Sequence, residues 1–227
     1  MNHFFVIIVA LTLTVTALGG TSSGAPEHVS IATQDGGIVF ADVYGSGERG
    51  VILAHGGRFT KESWALQAQT LAQAGYRVLA FDFRGFGQSP RVPKDAAPPL
   101  DVLAAVRYLR QSGAKTVAVI GGSFGGGAAA DATIAAAPGE IDRLVLLGTG
   151  GGDGPTEKLK GRLLFIVGRD DTSGDGLRLP GIRGQYEKAP QPKKLVLIES
   201  SAHAQFLFAT KHSDHVMREI LQFLSAR

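Results

Sequence analysis

The sequence predicts an α/β fold: a doubly wound, mostly parallel sheet of eight strands with helices on both faces. Three observations lead to this class. Apolar strand-like runs alternate with amphipathic helix-like segments, which is the pattern of βαβ units. Most of the strand segments are continuous apolar runs, as expected of strands that are buried on both faces. The connections are short, and no internal repeat or long linker interrupts the alternation.

The strands are expected in the following order. The first two strands come from the segments 28–37 and 38–45, and the turn signal Asp35-Gly36-Gly37 closes the first of these segments. We therefore expect an antiparallel pair at one edge of the sheet. The other six strands are apolar runs, at 50–57, 76–83, 116–122, 143–148, 162–168 and 193–200. Each of these six is of the length expected of a buried strand.

Four helices are expected, at 61–75, 99–113, 124–137 and 214–226. In the first helix Trp64, Ala68 and Leu71 recur at i, i+4 and i+7, and Gly75 closes the segment. The third helix is rich in alanine and is stopped by Pro138. The segment "RVPKDAAPP", residues 91–99, contains too many prolines for a regular element, so we expect a surface loop there.

The composition fits one globular domain. The chain has 227 residues, no cysteine, 44% hydrophobic and 19% charged residues, and a formal net charge of +3. That length is sufficient for a full hydrophobic core. The chain contains no Lys/Arg cluster of the kind that a phosphate backbone requires, so nucleic-acid binding is not expected. The lack of cysteine excludes disulfides and thiolate chemistry and leaves the redox compartment open.

The N-terminal segment differs from the rest of the chain. Phe4 to Leu18 is an apolar run, and small residues follow it. The length fits the core of a signal peptide better than a membrane span, so we expect residues 1–25 to be a signal peptide and 26–227 to be the domain. Candidate cleavage sites are Ala17-Leu18-Gly19 and Ser23-Gly24-Ala25. An uncleaved anchor is the alternative, because the segment before the apolar run contains no Lys or Arg; either way we expect export, to the periplasm or the extracellular space.

One serine lies where a buried strand meets the alanine-rich helix, in "VAVIGGSFGGGAAA". A one-residue corner needs neighbours that are almost free of side chain, and Gly121 and Gly125 lie two residues before and after Ser123. Such a corner projects the hydroxyl into solvent and leaves the Phe124 N–H free at a helix N-terminus, where it can stabilise an anion. This is the G-x-S-x-G pattern of a nucleophile elbow. The alternative is an ordinary glycine-rich turn whose serine has no catalytic role.

With this motif in its context, the chain from about residue 28 to the end resembles the α/β-hydrolase fold family. The resemblance implies an oxyanion-hole loop after an earlier strand, and "LAHGGRF" is similar to the HGG-type loop of that family. The N–H of Gly57, or of Arg58, would then be the second oxyanion donor beside that of Phe124. His55 lies inside the turn and is interpreted as structural.

The resemblance also implies an acid and a histidine after later strands. In "VGRDDTS" the acid is expected three residues past Gly168, at Asp171, with Asp170 as the rival. His203 follows the last strand and would be the base, in the chain order Ser, Asp, His that this fold uses. Two further histidines, His212 and His215, lie too close to the terminal helix and are interpreted as surface or capping residues.

Other segments bear on the shape of the site. The motif "DFRGFGQS" resembles a family signature in which Asp82 and Arg84 brace a loop, so neither is expected to be catalytic. Only residues 149–161 separate two central strands, which is too short for a lid domain, so we expect an open site. A segment after the acid carries Arg178, Arg183 and Lys188, which either contact an anionic substrate or lie on a solvated helix.

These features together predict an exported serine hydrolase that cleaves esters or thioesters through an acyl-enzyme, with Ser123, His203 and Asp171 as the triad. No cofactor or metal is expected, and the partner is a small ester or acyl substrate. Contact with a membrane is expected only if the N-terminal segment is uncleaved, and the oligomeric state stays open. The alternatives are an acyltransferase or perhydrolase, a serine peptidase, and a binding module that has kept the fold and lost turnover.

Overall fold

A computed structural model describes residues 25–91 and 97–226. Ten strands run in chain order, with bounds β1 Glu27–Ala32, β2 Ile38–Tyr44, β3 Arg49–Ala54, β4 Tyr76–Phe81, β5 Thr116–Gly122, β6 Arg143–Leu147, β7 Arg162–Gly168, β8 Thr172–Ser173, β9 Gly176–Leu177 and β10 Lys193–Ile198. Five α-helices accompany them, with bounds α1 Ala65–Gln73, α2 Pro98–Gln111, α3 Phe124–Ala135, α4 Leu179–Lys188 and α5 Ser213–Ser225. The expected signal peptide, 1–25, lies outside the described residues apart from its last position.

Eight of the strands form one sheet in the order β1-β2-β4-β3-β5-β6-β7-β10. β1 and β2 pair antiparallel at one edge, and β2 is also antiparallel to β4, whereas β4, β3, β5, β6, β7 and β10 are parallel. The predicted mostly parallel eight-stranded sheet is therefore confirmed. The crossover connections bring the carboxyl ends of the parallel strands to one edge of the sheet, where ligands bind in such folds.

The helices cover both faces of the sheet, as predicted. One buried cluster joins α2, α3 and α4 to one face and includes Val102, Ala129 and Ile182. The other cluster joins α1 and α5 to the opposite face and includes Leu71, Val216 and Ile220. The strands between the two layers are apolar in both directions because each face of the sheet meets helices.

The structure differs from the expected pattern in three places. The hairpin β8–β9 follows β7, and the segment that carries Arg178 to Lys188 includes the helix α4, with Ile182 buried. The start of the first predicted helix, Lys61–Trp64, is a 3-10 turn. Pro98 belongs to the first turn of α2 rather than to the loop, so the helix expected from Pro99 begins one residue earlier, because the first helical positions have no helical N–H bond for proline to break. Residues 92–96 of the predicted loop lie outside the described residues.

The connection between β6 and β7 contains only one short 3-10 turn, Thr156–Lys158, and holds no lid domain. Within 25–91 and 97–226, none of the helices combines the length and the apolar character that a bilayer crossing needs.

Candidate active site

Ser123 lies at a strained corner between β5 and α3. Its backbone has φ 49° and ψ −113°, a left-handed φ that side chains other than glycine rarely adopt. A Cβ on Gly121 would lie 2.5 Å from the carbonyl oxygen of Gly125. A Cβ on Gly125 would lie directly against the carbonyl oxygen of Ala54 and 2.5 Å from that of His55. The two glycines therefore permit the close contact between strand and helix that lifts the serine hydroxyl out of the sheet.

The loop after β10 brings an imidazole to this hydroxyl. His203 Nε2 lies 2.8 Å from Ser123 Oγ, and His203 Nδ1 lies 2.7 Å from Asp171 Oδ2. A carboxylate only accepts hydrogen bonds, so Nδ1–H donates to Asp171 and Nε2 accepts from the serine hydroxyl. The carboxylate of Asp171 is 1% exposed and the imidazole 25% exposed. The neighbouring Asp170 is exposed, and it is Asp171 that the structure brings to the histidine.

Two residues with backbone amides that are unpaired among the described residues line the same cavity as Ser123. Gly57 and Phe124 both line it, and a Cβ on Gly57 would lie 3.7 Å from that of Phe124. Neither amide N–H donates a hydrogen bond to another group in the described part of the chain. They are therefore free to donate to a ligand oxygen at this place.

Gln205 holds the loop that carries Gly57. Its Oε1 accepts a hydrogen bond from the Gly56 N–H at 2.6 Å, and its Nε2 donates to Ser63 Oγ at 2.9 Å. The side chain of Gln205 is buried, so its bond to the Gly56 N–H is shielded from water, whereas its bond to Ser63 is partly exposed. A residue two positions after His203 thus fixes the first glycine of the loop that carries Gly57.

His55 also holds the loop that carries Gly57, through hydrogen bonds of its imidazole ring. Its Nε2 accepts from the Phe83 N–H at 3.1 Å, so Nδ1 carries the proton and donates to the Gly56 carbonyl at 2.9 Å. Burial lowers the pKa of His55 below its usual value, which keeps the ring neutral. The rings of Phe83 and Phe86 pack edge-on against the imidazole, with centroids 5.1 Å away.

Asp82 and Arg84 brace the loop after β4. The carboxylate of Asp82 is buried and accepts backbone N–H bonds from Lys61 at 2.8 Å and Gln88 at 2.9 Å. The guanidinium of Arg84 donates to Asp101 at 2.6 Å and pairs with Asp35 at 2.8 Å. Neither side chain lines the cavity at Ser123.

The cavity at the serine has a volume of about 480 Å³ and is open to solvent. Three phenylalanines line it, Phe59, Phe124 and Phe206, and the rings of Phe59 and Phe206 lie 4.9 Å apart. Arg58 and Arg178 also line it. The arrangement offers an apolar surface for a small organic group, a hydroxyl beside a base, and two free amides.

The described residues include no group of three or more His, Cys, Asp or Glu side chains placed to hold a metal ion.

Sequence reasoning missed Gln205 and one role of Arg178. Gln205 is the single polar residue in the run Ala204–Phe208, and a lone amide in an apolar run is the signal that would have identified it. Arg178 was expected as a substrate contact or a surface residue, whereas its Nε also lies 3.4 Å from Asp171 Oδ1. No local pattern indicates that contact, because it depends on how β8, β9 and α4 fold back over β7.

Comparison with known proteins places these features among related chains. A family model described as "Alpha/beta hydrolase family" matches residues 51–218. A non-heme haloperoxidase from Rhodococcus erythropolis is 31% identical over 118 residues, which cover 52% of this chain and 43% of that protein. A 2-hydroxy-6-oxononadienedioate/2-hydroxy-6-oxononatrienedioate hydrolase from Paraburkholderia xenovorans is 30% identical over 152 residues, 65% of this chain and 51% of that protein. The matched region thus spans about half or less of the length of these curated relatives.

Solved structures share the fold. An esterase from Pyrococcus furiosus superposes with a TM-score of 0.71 at 21% identity, over 88% of this chain and 91% of that one. An esterase from Exiguobacterium antarcticum superposes with a TM-score of 0.73 at 15% identity, over 88% of this chain and 100% of that one.

Proposed function

This chain belongs to the alpha/beta hydrolase family, and on that premise we propose that it is a serine hydrolase that cleaves carboxylic esters through an acyl-enzyme. The observation that carries the proposal is the continuous hydrogen-bonded path from Asp171 through His203 to Ser123, at 2.7 and 2.8 Å. A serine hydroxyl is a weak nucleophile at neutral pH and needs a base within this reach. The strained corner at Ser123 adds support, because strain of this kind is concentrated at functional sites.

In the first half of the reaction, Ser123 Oγ attacks the ester carbonyl carbon as His203 Nε2 accepts the hydroxyl proton. The carbonyl oxygen becomes an oxyanion, which the N–H groups of Gly57 and Phe124 stabilise; one such donor contributes roughly 3 kcal/mol to lowering the barrier. Asp171 holds the imidazole in the tautomer that accepts the proton and stabilises the imidazolium that results. The protonated His203 then gives its proton to the departing alcohol.

In the second half, water replaces the alcohol in the site. His203 removes a proton from the water, which attacks the acyl carbon, and the acid leaves as Ser123 recovers its proton. Because the β6–β7 connection, which is described in full, holds no lid domain, we expect water to reach the acyl-enzyme directly and expect small, solvent-accessible esters or thioesters as substrates. A peptidase ranks lower, because the short connection between β6 and β7 supplies no lid to define a peptide site.

The proposal is tested with a fluorophosphonate probe and p-nitrophenyl acetate. The probe is expected to label Ser123 in the wild type, and Ser123→Ala is expected to lose both labelling and hydrolysis. Ser46→Ala is the matched control, since Ser46 is an exposed serine after β2, at the opposite end of the strands. A folded wild type that is neither labelled nor active would favour the binding-module alternative.

A second candidate is perhydrolysis, in which hydrogen peroxide replaces water as the nucleophile that releases the acyl group. The similarity to a protein named as a non-heme haloperoxidase favours it. Peracid formation from acetate esters and peroxide, measured by bromide oxidation with Ser123→Ala as the blank, distinguishes it from simple hydrolysis. A ratio of peracid to acid no greater than in the blank would exclude it.

We propose separately that the protein is exported, on the basis of the apolar run Phe4 to Leu18. We expect the mature protein to be recovered outside the cytoplasm with its N-terminus near Gly19 or at Pro26, as N-terminal sequencing would reveal. Recovery of the full-length chain in the membrane fraction would favour the uncleaved anchor.

A further inference from the structure

The charged side chains that line the cavity at Ser123 are all cationic. Arg58 and Arg178 lie on its wall, and none of the described residues that line it is Asp or Glu. Arg58 is exposed and makes no hydrogen bond or ion pair with any other described residue. A cation in a concave site that has no protein anion facing it raises the local concentration of anions and favours an anionic ligand.

Arg178 is fixed on one side and free on the other. Its backbone N–H donates to the Asp171 carbonyl at 2.9 Å, and its Nε lies 3.4 Å from Asp171 Oδ1. Its terminal amino groups make no hydrogen bond with the described residues, and 36% of the side chain is exposed. The guanidinium is therefore held near the buried carboxylate through Nε, and its terminal amino groups are left without a partner among the described residues.

This geometry suits a carboxylate. Guanidinium groups bind carboxylates through charge-assisted hydrogen bonds, often with two parallel N–H donors. The phenylalanine rings of Phe59, Phe124 and Phe206 supply apolar surface for the carbon skeleton between the ester and the charge. A neutral ester would leave Arg58 and the terminal amino groups of Arg178 without a hydrogen-bond acceptor, whereas an ester that carries a carboxylate supplies one.

We propose that the substrate is an ester bearing a carboxylate group, and that Arg58 and Arg178 bind this group while Ser123 reacts with the ester carbonyl. The inference rests on the proposed esterase function and names its substrate class. The reaction is ordinary hydrolysis: the oxygen of water enters the released acid, and the alcohol leaves with a proton. The second carboxylate is bound and is chemically unchanged.

The carboxylate has two possible places in the substrate, which matched pairs of esters distinguish. The acyl-side pair is the p-nitrophenyl monoester of adipic acid and p-nitrophenyl hexanoate. The alcohol-side pair is p-acetoxybenzoate and p-acetoxybenzamide. For one of the two pairs we expect kcat/KM of the wild type to be higher for the anionic ester by about tenfold. Ser123→Ala serves as the blank for spontaneous hydrolysis.

The main variant is Arg58→Gln, because Arg58 does not contact the triad acid. We expect it to lower the ratio of anionic to neutral kcat/KM by about tenfold, chiefly through KM, and we expect added salt to lower the ratio in the wild type. Arg183→Gln is the matched control, since Arg183 is an exposed cation on α4 that does not line the cavity. That variant should keep the ratio within twofold.

Failure of the inference and failure of the function give different results. If the wild type hydrolyses both members of each pair equally and Arg58→Gln changes nothing, the anion site is refuted and the esterase proposal stands. If no ester is hydrolysed and Ser123 is not labelled, the esterase proposal fails. Calorimetric titrations of monomethyl adipate and of p-acetoxybenzoate into Ser123→Ala then decide the anion site by themselves. Binding of either ligand that is weaker in the double variant Ser123→Ala/Arg58→Gln supports the site, and binding of neither refutes it.

Discussion

Replacing Gly125 with alanine is expected to destabilise the protein, whereas the same change at Gly127, two residues along α3, is expected to stabilise it. A Cβ at Gly125 meets the carbonyl oxygens of Ala54 and His55, which belong to the end of β3 and the loop after it. A Cβ at Gly127 has its nearest neighbours at 3.5 Å, an ordinary contact distance. Comparing the two variants therefore distinguishes the cost of the close contact at Gly125 from the gain that alanine brings at any helical position.

The size of the effect follows from these distances. A carbon normally approaches a carbonyl oxygen to about 3.3 Å, so α3 and the end of β3 must separate by roughly 0.8 Å. Such overpacking costs about 3 kcal/mol at the upper end of the usual range, and the helix preference for alanine offsets about 1 kcal/mol of it. We expect a net loss of about 2 kcal/mol in the free energy of unfolding for Gly125→Ala and a gain of about 0.5–1 kcal/mol for Gly127→Ala.

Urea unfolding monitored by circular dichroism measures both changes, and p-nitrophenyl acetate hydrolysis measures the catalytic consequence. The shift at Gly125 moves the start of the loop that carries Gly57, so we expect kcat to fall about a hundredfold. Gly127→Ala should retain the wild-type rate. If Gly125→Ala matched the wild type in stability and rate, the tight corner described here would be wrong.

Three further predictions concern single side chains. Asp171→Asn is expected to lower kcat about 10⁴-fold, because the amide favours the wrong tautomer of the base, whereas Asp170→Asn should stay within twofold; equal effects in the ester assay would contradict the assignment. Gln205→Leu leaves a buried amide N–H without an acceptor, so we expect a loss of about 1–3 kcal/mol in stability and a fall in kcat with little change in KM, and Ser63→Ala should show a smaller version of both. Because burial lowers the pKa of His55, the unfolded chain binds a proton that the folded chain does not; the free energy of unfolding should therefore fall as the pH drops below about 6.5, by up to about 1.4 kcal/mol per pH unit, and His55→Asn should reduce that slope in urea titrations at pH 5 to 8.

The sequence was informative where function depends on local pattern. Ser123 lies between glycines after an apolar run, and the carboxyl ends of parallel strands must meet at one edge, so the serine and a histidine after the last strand were expected near each other. The doubly wound sheet followed from the alternation of apolar runs with amphipathic segments. The choice of Asp171 over Asp170 depended on the resemblance to a family, since two adjacent carboxylates in a loop look alike in a single sequence.

The features that escaped prediction depend on contacts between distant segments. Gln205 and Gly56 are separated by 149 positions, and no periodicity connects them. The approach of Arg178 to Asp171 requires the hairpin β8–β9, whose two-residue strands are too short to leave a pattern. Pro98 was assigned to the loop alone because proline usually ends regular structure, but at a helix start its fixed φ is favourable.

The position of β10 in the sheet has a consequence for inactivation. Among the described strands, β10 lies at the edge of the sheet and pairs only with β7, and the loop after it carries His203, whereas Ser123 extends from the central strand β5. Peeling of this C-terminal strand, together with α5, would withdraw the imidazole from the hydroxyl while the middle of the sheet stayed intact. Heating should therefore abolish turnover before the bulk of the secondary structure melts, because the loop that carries His203 is anchored by an edge strand and the corner that carries Ser123 by a central one.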